Sequence, residues 1–248
     1  MIGNEFSHSR SEPSSRTESR GPLFVKSTRY SGVKLLGALG LLFVTAPFLD
    51  DLPRGDLIEA VLVSLVMIFA VLAVGGQRRT LIIGVVLVVP ALAGKWINHV
   101  RPDLLHPVVF LVAYVIFFGF VVAQLLRFIV RAPSVDANVL CTGVAGFLML
   151  GLMWALAYLT VARLDTGAFN LPGGPGAGGT MDGFTAFFFS FVTLCTVGYG
   201  DITPVSKVAR MLAVTEAIAG LFYMGVLISR LVSMYSTSRP VVQTDDPG

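Results

Sequence analysis

Charged residues are scarce in this 248-residue sequence: they make up 13% of the chain, whereas 54% of its residues are hydrophobic and the mean hydropathy is +0.78. Soluble domains carry roughly 25% charged residues. The scarcity of charge excludes an ordinary soluble domain and indicates that lipid surrounds most of the chain. The net charge of +3 is also too small to indicate binding to nucleic acid.

Cysteine and histidine are few as well, with two cysteines and three histidines. Cys141 and Cys195 lie in apolar stretches, where their spacing matches neither a disulfide framework nor a zinc site. His8, His99 and His106 lie in the N-terminal tail or a loop, and they form no catalytic triad or metal-binding pattern. We therefore expect neither an enzyme nor a resident cofactor.

The sequence does contain long apolar runs, at 33–49, 57–75, 80–97, 107–126, 138–162 and 207–234. A helix of roughly 20 such residues crosses a hydrocarbon core of roughly 30 Å. The runs therefore predict an all-α membrane protein with six transmembrane helices. A seventh apolar stretch, at 183–195, is too short to cross and predicts a re-entrant helix that Asp182 caps.

These runs divide the chain into four predicted regions: a disordered cytoplasmic tail (1–30), a peripheral membrane domain of four helices (31–131), a pore domain (132–235) and a short cytoplasmic tail (236–248). If both termini are cytoplasmic, twelve of the 18 Lys and Arg residues lie inside and six lie outside. This excess follows the positive-inside rule. We expect an integral protein of the cell membrane with both termini in the cytoplasm.

The segment between the short helix and the last span, Thr196–Asp201, reads Thr-Val-Gly-Tyr-Gly-Asp. Backbone carbonyls that all point to one side can replace the water around a potassium ion. Consecutive carbonyls take that direction only with backbone angles that side chains resist, and Gly198 and Gly200 remove this obstacle. The side chains of Val197 and Tyr199 are expected to point away from the ion.

This segment resembles the pore loop of potassium channels. The resemblance implies passive, potassium-selective conduction, with the ion bound by Thr196, Val197, Gly198 and Tyr199 through their backbone carbonyls and the Thr196 hydroxyl. One loop cannot surround an ion, so a homotetramer in the lipid bilayer is implied, with potassium ions in the filter and no other cofactor.

Three other functions are alternatives to this one. Within the same class, a weakly selective monovalent cation channel is the alternative. A transporter subunit usually shows internal repeats, and none is visible in this sequence. A receptor or scaffold would need a further ligand or partner domain.

The last span resembles the inner helix of these channels, and Gly220 falls where the family has its hinge glycine. Glycine within a helix costs roughly 1 kcal/mol relative to alanine, so we expect it to serve either bending or close helix packing. Met224, Ile228 and Val232 repeat every four residues and form one face. That face is a candidate apolar gate, and lipid contact or packing on the fifth span are the alternatives.

Two features depart from the family. The fourth span, 107–124, contains no Lys or Arg, and Arg127 and Arg131 come only at its inner end. A voltage sensor must move several charges through the membrane field, because each yields only about 2.3 kcal/mol per 100 mV. We therefore expect weak or no intrinsic voltage gating.

The second departure concerns filter support. Many potassium channels brace the filter with polar pore-helix side chains, whereas Phe188, Phe189 and Val192 stand at those places here and cannot form hydrogen bonds. We expect Ser190 or Thr193 to partner the filter tyrosine and aspartate instead.

Glu216 is the one acid well inside a span, where a charge needs a partner, water or a proton. We expect it to brace the back of the filter or the pore helix. The alternative is that it lies in a water-filled outer vestibule.

Overall fold

A computed structural model describes residues 31–48, 55–75, 78–100, 107–132, 136–172 and 180–237. The predicted tail at 1–30 and most of the one at 236–248 lie outside these ranges. The described helices are α1 (Ser31–Thr45), α2 (Gly55–Val74), α3 (Arg78–Val100), α4 (Pro107–Arg131), α5 (Ala137–Leu164), α6 (Gly183–Leu194) and α7 (Lys207–Thr237). A 3₁₀ turn, Ala46–Phe48, extends α1, so a helix lies at every predicted span and at the predicted short helix.

Four of the described helices are long and apolar enough to cross a membrane: α2, α4, α5 and α7. With 15 residues, α1 is shorter than a typical span. Helix α3 has 23 residues but contains Pro90 and begins at two arginines, Arg78 and Arg79. The all-α membrane fold is therefore confirmed. Of the six predicted spans, four are helices that are long and apolar enough to cross a membrane.

The helices α4 and α5 share the most extensive helix interface. Buried residues of α4 recur every three or four positions, so they form one continuous face: Leu111, Tyr114, Phe118, Val121, Leu125 and Ile129. The opposite face is apolar too, since Val109 and Ile116 are 61% and 54% exposed. A helix that is apolar on both faces packs on protein with one and meets lipid with the other.

Two glycines of α5 let α7 approach closely. A Cβ at Gly143 would lie 2.8 Å from the Leu227 side chain, and one at Gly146 would lie 2.3 Å from the Tyr223 hydroxyl. That hydroxyl donates to the Gly143 carbonyl at 2.8 Å. Small residues commonly allow such contact between membrane helices, so α5 and α7 form one compact unit.

The first helix packs directly on the short helix α6. The Phe43 ring of α1 lies 4.7 Å from that of Phe187 and 5.0 Å from that of Phe191, both with edge-to-face geometry. Aromatic pairs of this kind contribute about 0.5–1.5 kcal/mol beyond the area they bury. The peripheral helices are thereby joined to the element that carries the candidate site.

Two short strands close the loop that contains α6. Strand β1 (Phe169–Asn170) follows α5 and pairs antiparallel with β2 (Thr203–Pro204), which precedes α7. The amides of Val205 and Ser206 also donate to the Ala168 carbonyl, at 2.8 and 3.2 Å. The two ends of the loop are therefore held together beside the last turns of α5.

Candidate ion-conduction site

The short helix α6 begins at the residue predicted to cap it. The Asp182 carboxylate accepts from the Thr185 amide at 2.7 Å, which satisfies one of the free donors of the first turn. Twelve residues span only about 18 Å at 1.5 Å each. The helix therefore cannot cross the bilayer, and it ends directly at the predicted filter.

Carbonyls of the last helical turn hold the start of that filter. The Thr196 amide donates to the Thr193 carbonyl at 2.9 Å, and the Val197 and Gly198 amides donate to the Val192 carbonyl at 2.9 and 3.3 Å. These bonds fix the direction in which the chain leaves the helix.

The filter backbone alternates between two conformations. The φ angles are +56° at Thr196, +61° at Gly198 and +83° at Gly200, while the residues between them keep ordinary negative values. Such alternation turns consecutive carbonyls toward one side of the strand. A left-handed angle costs a residue with a side chain roughly 1–2 kcal/mol, which Gly198 and Gly200 avoid and Thr196 does not.

The filter side chains are largely uncovered within one chain. Tyr199 is 71% exposed and Val197 is 52% exposed. One face of the Tyr199 ring stacks on Phe188 of α6, with centroids 6.1 Å apart and planes 9° apart. An aromatic contact thus stands where the resemblance to potassium channels led us to expect a hydrogen bond.

The polar partners expected for the filter tyrosine and aspartate lie elsewhere. Within the described parts of one chain, neither Tyr199 nor Asp201 forms a side-chain hydrogen bond. Thr193 contributes its carbonyl oxygen, and the Ser190 hydroxyl faces the opposite side of α6.

Behind α6, three fully buried side chains form a hydrogen-bonded cluster that we call the Glu216 cluster: Tyr158, Ser190 and Glu216. The Tyr158 hydroxyl donates to Glu216 Oε2 at 2.5 Å, and the Ser190 hydroxyl lies 2.5 Å from Glu216 Oε1. Ser190 also lies 2.8 Å from the Gly151 carbonyl oxygen. The cluster thereby links α5, α6 and α7.

A count of hydrogens constrains this cluster. It contains three short oxygen–oxygen contacts, yet Ser190 and Tyr158 supply one hydroxyl hydrogen each. A proton on Glu216 would supply the third and allow every contact to be a hydrogen bond.

Aromatic rings enclose the cluster on its outer side. The Tyr158 ring lies 4.8 Å from that of Phe189 and 5.7 Å from that of Phe169, and these two rings lie 5.6 Å apart. The enclosure keeps water from the carboxyl group, so the hydrogen bonds act in an environment of low dielectric constant.

Gly220 lies where α7 passes the end of α6. A Cβ there would stand 2.5 Å from the Leu194 carbonyl oxygen and 2.9 Å from the Leu194 side chain. The Leu194 carbonyl group belongs to the backbone and cannot move aside as a flexible side chain can. Position 220 therefore requires glycine. Of the two expectations for Gly220, the geometry favours close packing.

The candidate gate residues lie on an uncovered face of α7. Met224, Ile228 and Val232 are 41%, 53% and 63% exposed, so none of them packs deeply against α5 within one chain. Their exposure is compatible with lining the pore and with contacting lipid.

Sequence reasoning missed Tyr158 and Gly151. An isolated tyrosine in an apolar helix needs a partner for its hydroxyl, which is a general signal. Its partner lies 58 residues away, however, and no local pattern links the two.

The segment that contains this site is similar to known ion channels. Residues 139–237 match the family model described as ion channel. Over 83 residues the chain is 37% identical to two pore potassium channel c of Oryza sativa subsp. japonica, a match that covers 33% of this chain and 18% of the relative. No solved structure is a significant match to the chain.

Two microbial relatives match shorter segments. Identity is 54% over 37 residues with the voltage-gated potassium channel Kch of Escherichia coli, covering 15% of this chain and 9% of the relative. It is 40% over 48 residues with the calcium-gated potassium channel TvoK of Thermoplasma volcanium, a match that covers 19% of this chain and 14% of the relative. The matches thus span less than a fifth of these relatives' lengths. Residues 139–237 are thus similar to the ion channel family, and the named relatives of this segment are potassium channels rather than enzymes.

Proposed function

We propose that this protein is a potassium-selective channel that conducts ions passively through the backbone carbonyls of Thr196–Tyr199. One observation carries the proposal: left-handed angles alternate through Thr196, Gly198 and Gly200, directly after a capped helix too short to cross the membrane. A strand of this form presents a row of oxygens that can replace the hydration shell of an ion. Potassium is the transported ion, and no other cofactor is needed.

Four copies are proposed to surround the ion, since one chain supplies one strand. Helix α7 supports this assembly, because it is the least buried of the four helices that are long and apolar enough to cross the membrane. Apolar residues on it that are more than half exposed include Met211, Leu221 and Phe222. In a tetramer, neighbouring copies would cover much of this surface.

The proposed topology has six spans, with α1 and α3 crossing alongside the four longer helices. Both termini then lie in the cytoplasm of a cell-membrane protein, and Asp201 lies at the outer mouth of the pore. The excess of Lys and Arg on the inner side supports this orientation.

Intrinsic voltage gating is proposed to be weak or absent. Helix α4 has no basic residue between Pro107 and Leu126, so no charge on it lies deep in the membrane field. Arg127 and Arg131 are exposed at the inner end of the helix, where they can anchor it at the interface.

The Glu216 cluster is proposed to hold the pore helix, and through it the filter, in place of the usual polar contacts to the filter. We infer that Glu216 holds a proton, since the cluster then has a hydrogen for each of its three contacts. A neutral acid also avoids an uncompensated charge inside the bilayer.

A weakly selective monovalent cation channel is the second candidate. The observation that favours it is the exposure of Tyr199 and its lack of a hydrogen bond within the described part of the chain. A filter wall held only by stacking on Phe188 would be easier to widen.

Ion flux from liposomes that contain the purified protein tests the proposed function. Potassium-loaded liposomes should show flux that barium blocks and that Gly198→Ser abolishes. Absence of flux from correctly assembled wild-type protein would refute the proposal. Equal flux of sodium and potassium would favour the second candidate.

A further inference from the structure

A cavity of about 500 Å³ lies between the peripheral helices α1, α2 and α4 and the pore-domain helices α5 and α6. Small-molecule sites in proteins span roughly 300–1,000 Å³. Phe184 and Phe187 of α6 form part of the cavity wall. A molecule bound in this cavity would therefore contact the pore helix directly.

Most of the side chains that line the cavity are apolar. The charged ones, Glu59 and Arg163, lie near an end of α2 and an end of α5. Farther from these helix ends, the lining comes from α2, α4 and α5 and includes Val66, Phe118 and Leu152. An occupant of this deeper part must therefore be mostly apolar itself.

Tyr114 brings a polar group into the deeper part. It lies about two turns, or roughly 10 Å, beyond Pro107, the first residue of α4. Its side chain lines the cavity and is 3% exposed, and its hydroxyl has no hydrogen-bond partner among the described residues. Native structures rarely leave a buried polar group unpaired. A hydrogen-bond acceptor on a bound molecule would satisfy this hydroxyl.

Water is a poor candidate for that acceptor. A buried water molecule typically forms two to four hydrogen bonds. Phe110 and Phe118, one turn before and one turn after Tyr114, line the same cavity and offer none. A molecule that combines a single acceptor with an apolar body suits these surroundings better.

The depth of Tyr114 also limits the charge of the acceptor. A tyrosine hydroxyl can donate to a neutral carbonyl or ether as well as to a carboxylate or phosphate. A charged group two turns inside a membrane helix is costly, however, unless it has a partner or water. The acceptor at Tyr114 should therefore be neutral.

The cavity wall is connected to the packing of the pore helix. The Phe187 ring lies 4.7 Å from that of Phe43 and 4.8 Å from that of Phe191. The Phe191 ring in turn packs on Gly151, where a Cβ would stand 2.3 Å from it. A ligand that packs on Phe187 would thus support the contacts that position α6 between α1 and α5.

We propose that this cavity binds a neutral, apolar molecule with one hydrogen-bond acceptor, such as a ketone or an ester, that accepts from the Tyr114 hydroxyl. Its apolar body packs on Phe184 and Phe187. The ester of a neutral membrane lipid and the carbonyl of a free small molecule share this chemistry. The binding does not depend on which ion the channel conducts.

Thermal unfolding of the purified full-length channel tests the proposal with two probes of similar shape. Benzophenone carries a ketone between two rings, and diphenylmethane has the same rings without an acceptor. A ligand that binds the native state raises the unfolding temperature. Benzophenone should give the same rise at about a two- to tenfold lower concentration, the range for one neutral hydrogen bond.

The ketone also allows the site to be located without any variant. Ultraviolet light cross-links bound benzophenone to neighbouring side chains, and mass spectrometry of the peptides identifies them. The cross-links should fall within 107–118, 152–163 and 183–187, the ranges of α4, α5 and α6 that line the cavity. Because no ion flux is measured, failure of this test is separate from failure of the proposed function.

Variants test each part of the proposal. Tyr114→Phe should remove the preference for benzophenone over diphenylmethane while leaving diphenylmethane binding unchanged. Leu152→Trp should weaken both probes by filling the cavity. Leu72→Trp is its matched control, since Leu72 is 54% exposed and does not line the cavity. Arg163→Gln should change neither probe, because the ligand is neutral.

A competition experiment identifies the source of the natural ligand. Dioleoylglycerol, a neutral lipid with ester groups, should reduce benzophenone cross-linking if a membrane lipid occupies the site. Cross-linking that persists in its presence assigns the site to a free small molecule. Either result supports a site for a neutral acceptor.

Three results would overturn the proposal. The first is an equal effect of benzophenone and diphenylmethane on the wild-type channel. The second is a preference for benzophenone that Tyr114→Phe leaves intact. The third is cross-linking that falls outside the cavity lining, which decides the matter even if Leu152→Trp fails to assemble. Gel filtration of each variant verifies its assembly.

Discussion

The Ser190 hydroxyl oxygen lies 2.5 Å from Glu216 Oε1 while also lying 2.8 Å from the Gly151 carbonyl oxygen. A single residue of the pore helix thus joins both long helices of the pore domain. The contact is fully buried on both sides, so no water competes for it.

Replacing Glu216 should separate its hydrogen-bonding role from its charge. Glu216→Ala leaves the Tyr158 hydroxyl without its acceptor and should destabilise the assembled channel by about 1–3 kcal/mol. Glu216→Gln keeps one donor and one acceptor and, if the native acid is neutral, should remain close to wild type. Thermal unfolding of the purified channel measures both variants.

Two outcomes of that comparison would contradict the account. Equal stability of Glu216→Ala and wild type would remove the bracing role. A Glu216→Gln variant as unstable as Glu216→Ala would show that the native group is charged.

Gly220→Ala should destabilise the pore domain, because its Cβ would lie 2.5 Å from the Leu194 carbonyl oxygen. Overpacking of this kind costs typically about 1–3 kcal/mol. Gly225→Ala is the matched control: it lies in the same helix and its Cβ meets nothing within 4 Å. Thermal unfolding of both variants checks this, and an equally mild effect at the two positions would refute the packing role of Gly220.

Gly198→Ala tests the backbone conformation of the filter without introducing a steric clash. Nothing lies within 4 Å of a Cβ there, but the φ angle of +61° costs alanine about 1–2 kcal/mol. We expect a folded channel with reduced potassium current and poorer selectivity. Gly40→Ala, at an open position in α1, is the control and should conduct normally. Normal currents from Gly198→Ala would mean that the left-handed angle is not needed for conduction.

Neutralising Arg127 and Arg131 should leave the conductance–voltage relation unchanged. Both side chains are exposed at the C-terminal end of α4. In the proposed topology they lie outside the steep part of the membrane field. Planar-bilayer recordings of the double Gln variant provide the measurement. A steep wild-type curve that flattens in this variant would show that a voltage sensor exists after all.

The local features of the site were predictable from sequence. Asp182 was expected to cap α6 and does so, and the glycines at 198 and 200 were expected where left-handed angles occur. Each of these depends on residues that are near neighbours in the chain, whose geometry is set by backbone sterics.

The long-range contacts were harder to predict from the sequence. Glu216 was expected to brace the pore helix and does contact Ser190, but Ser190 had been expected to partner the filter tyrosine or aspartate. Tyr158 was not anticipated, and neither were the two-residue strands that pair Phe169 with Pro204. Such pairings depend on how whole helices pack, and a single sequence contains no periodic signal for them.

The most direct test of potassium selectivity is the reversal potential of purified channels in a planar bilayer, with potassium on one side and sodium on the other. Potassium selectivity predicts a reversal potential far from zero, with the sign set by potassium permeation, and a shift toward zero in Gly198→Ala. A wild-type reversal potential near zero would contradict it.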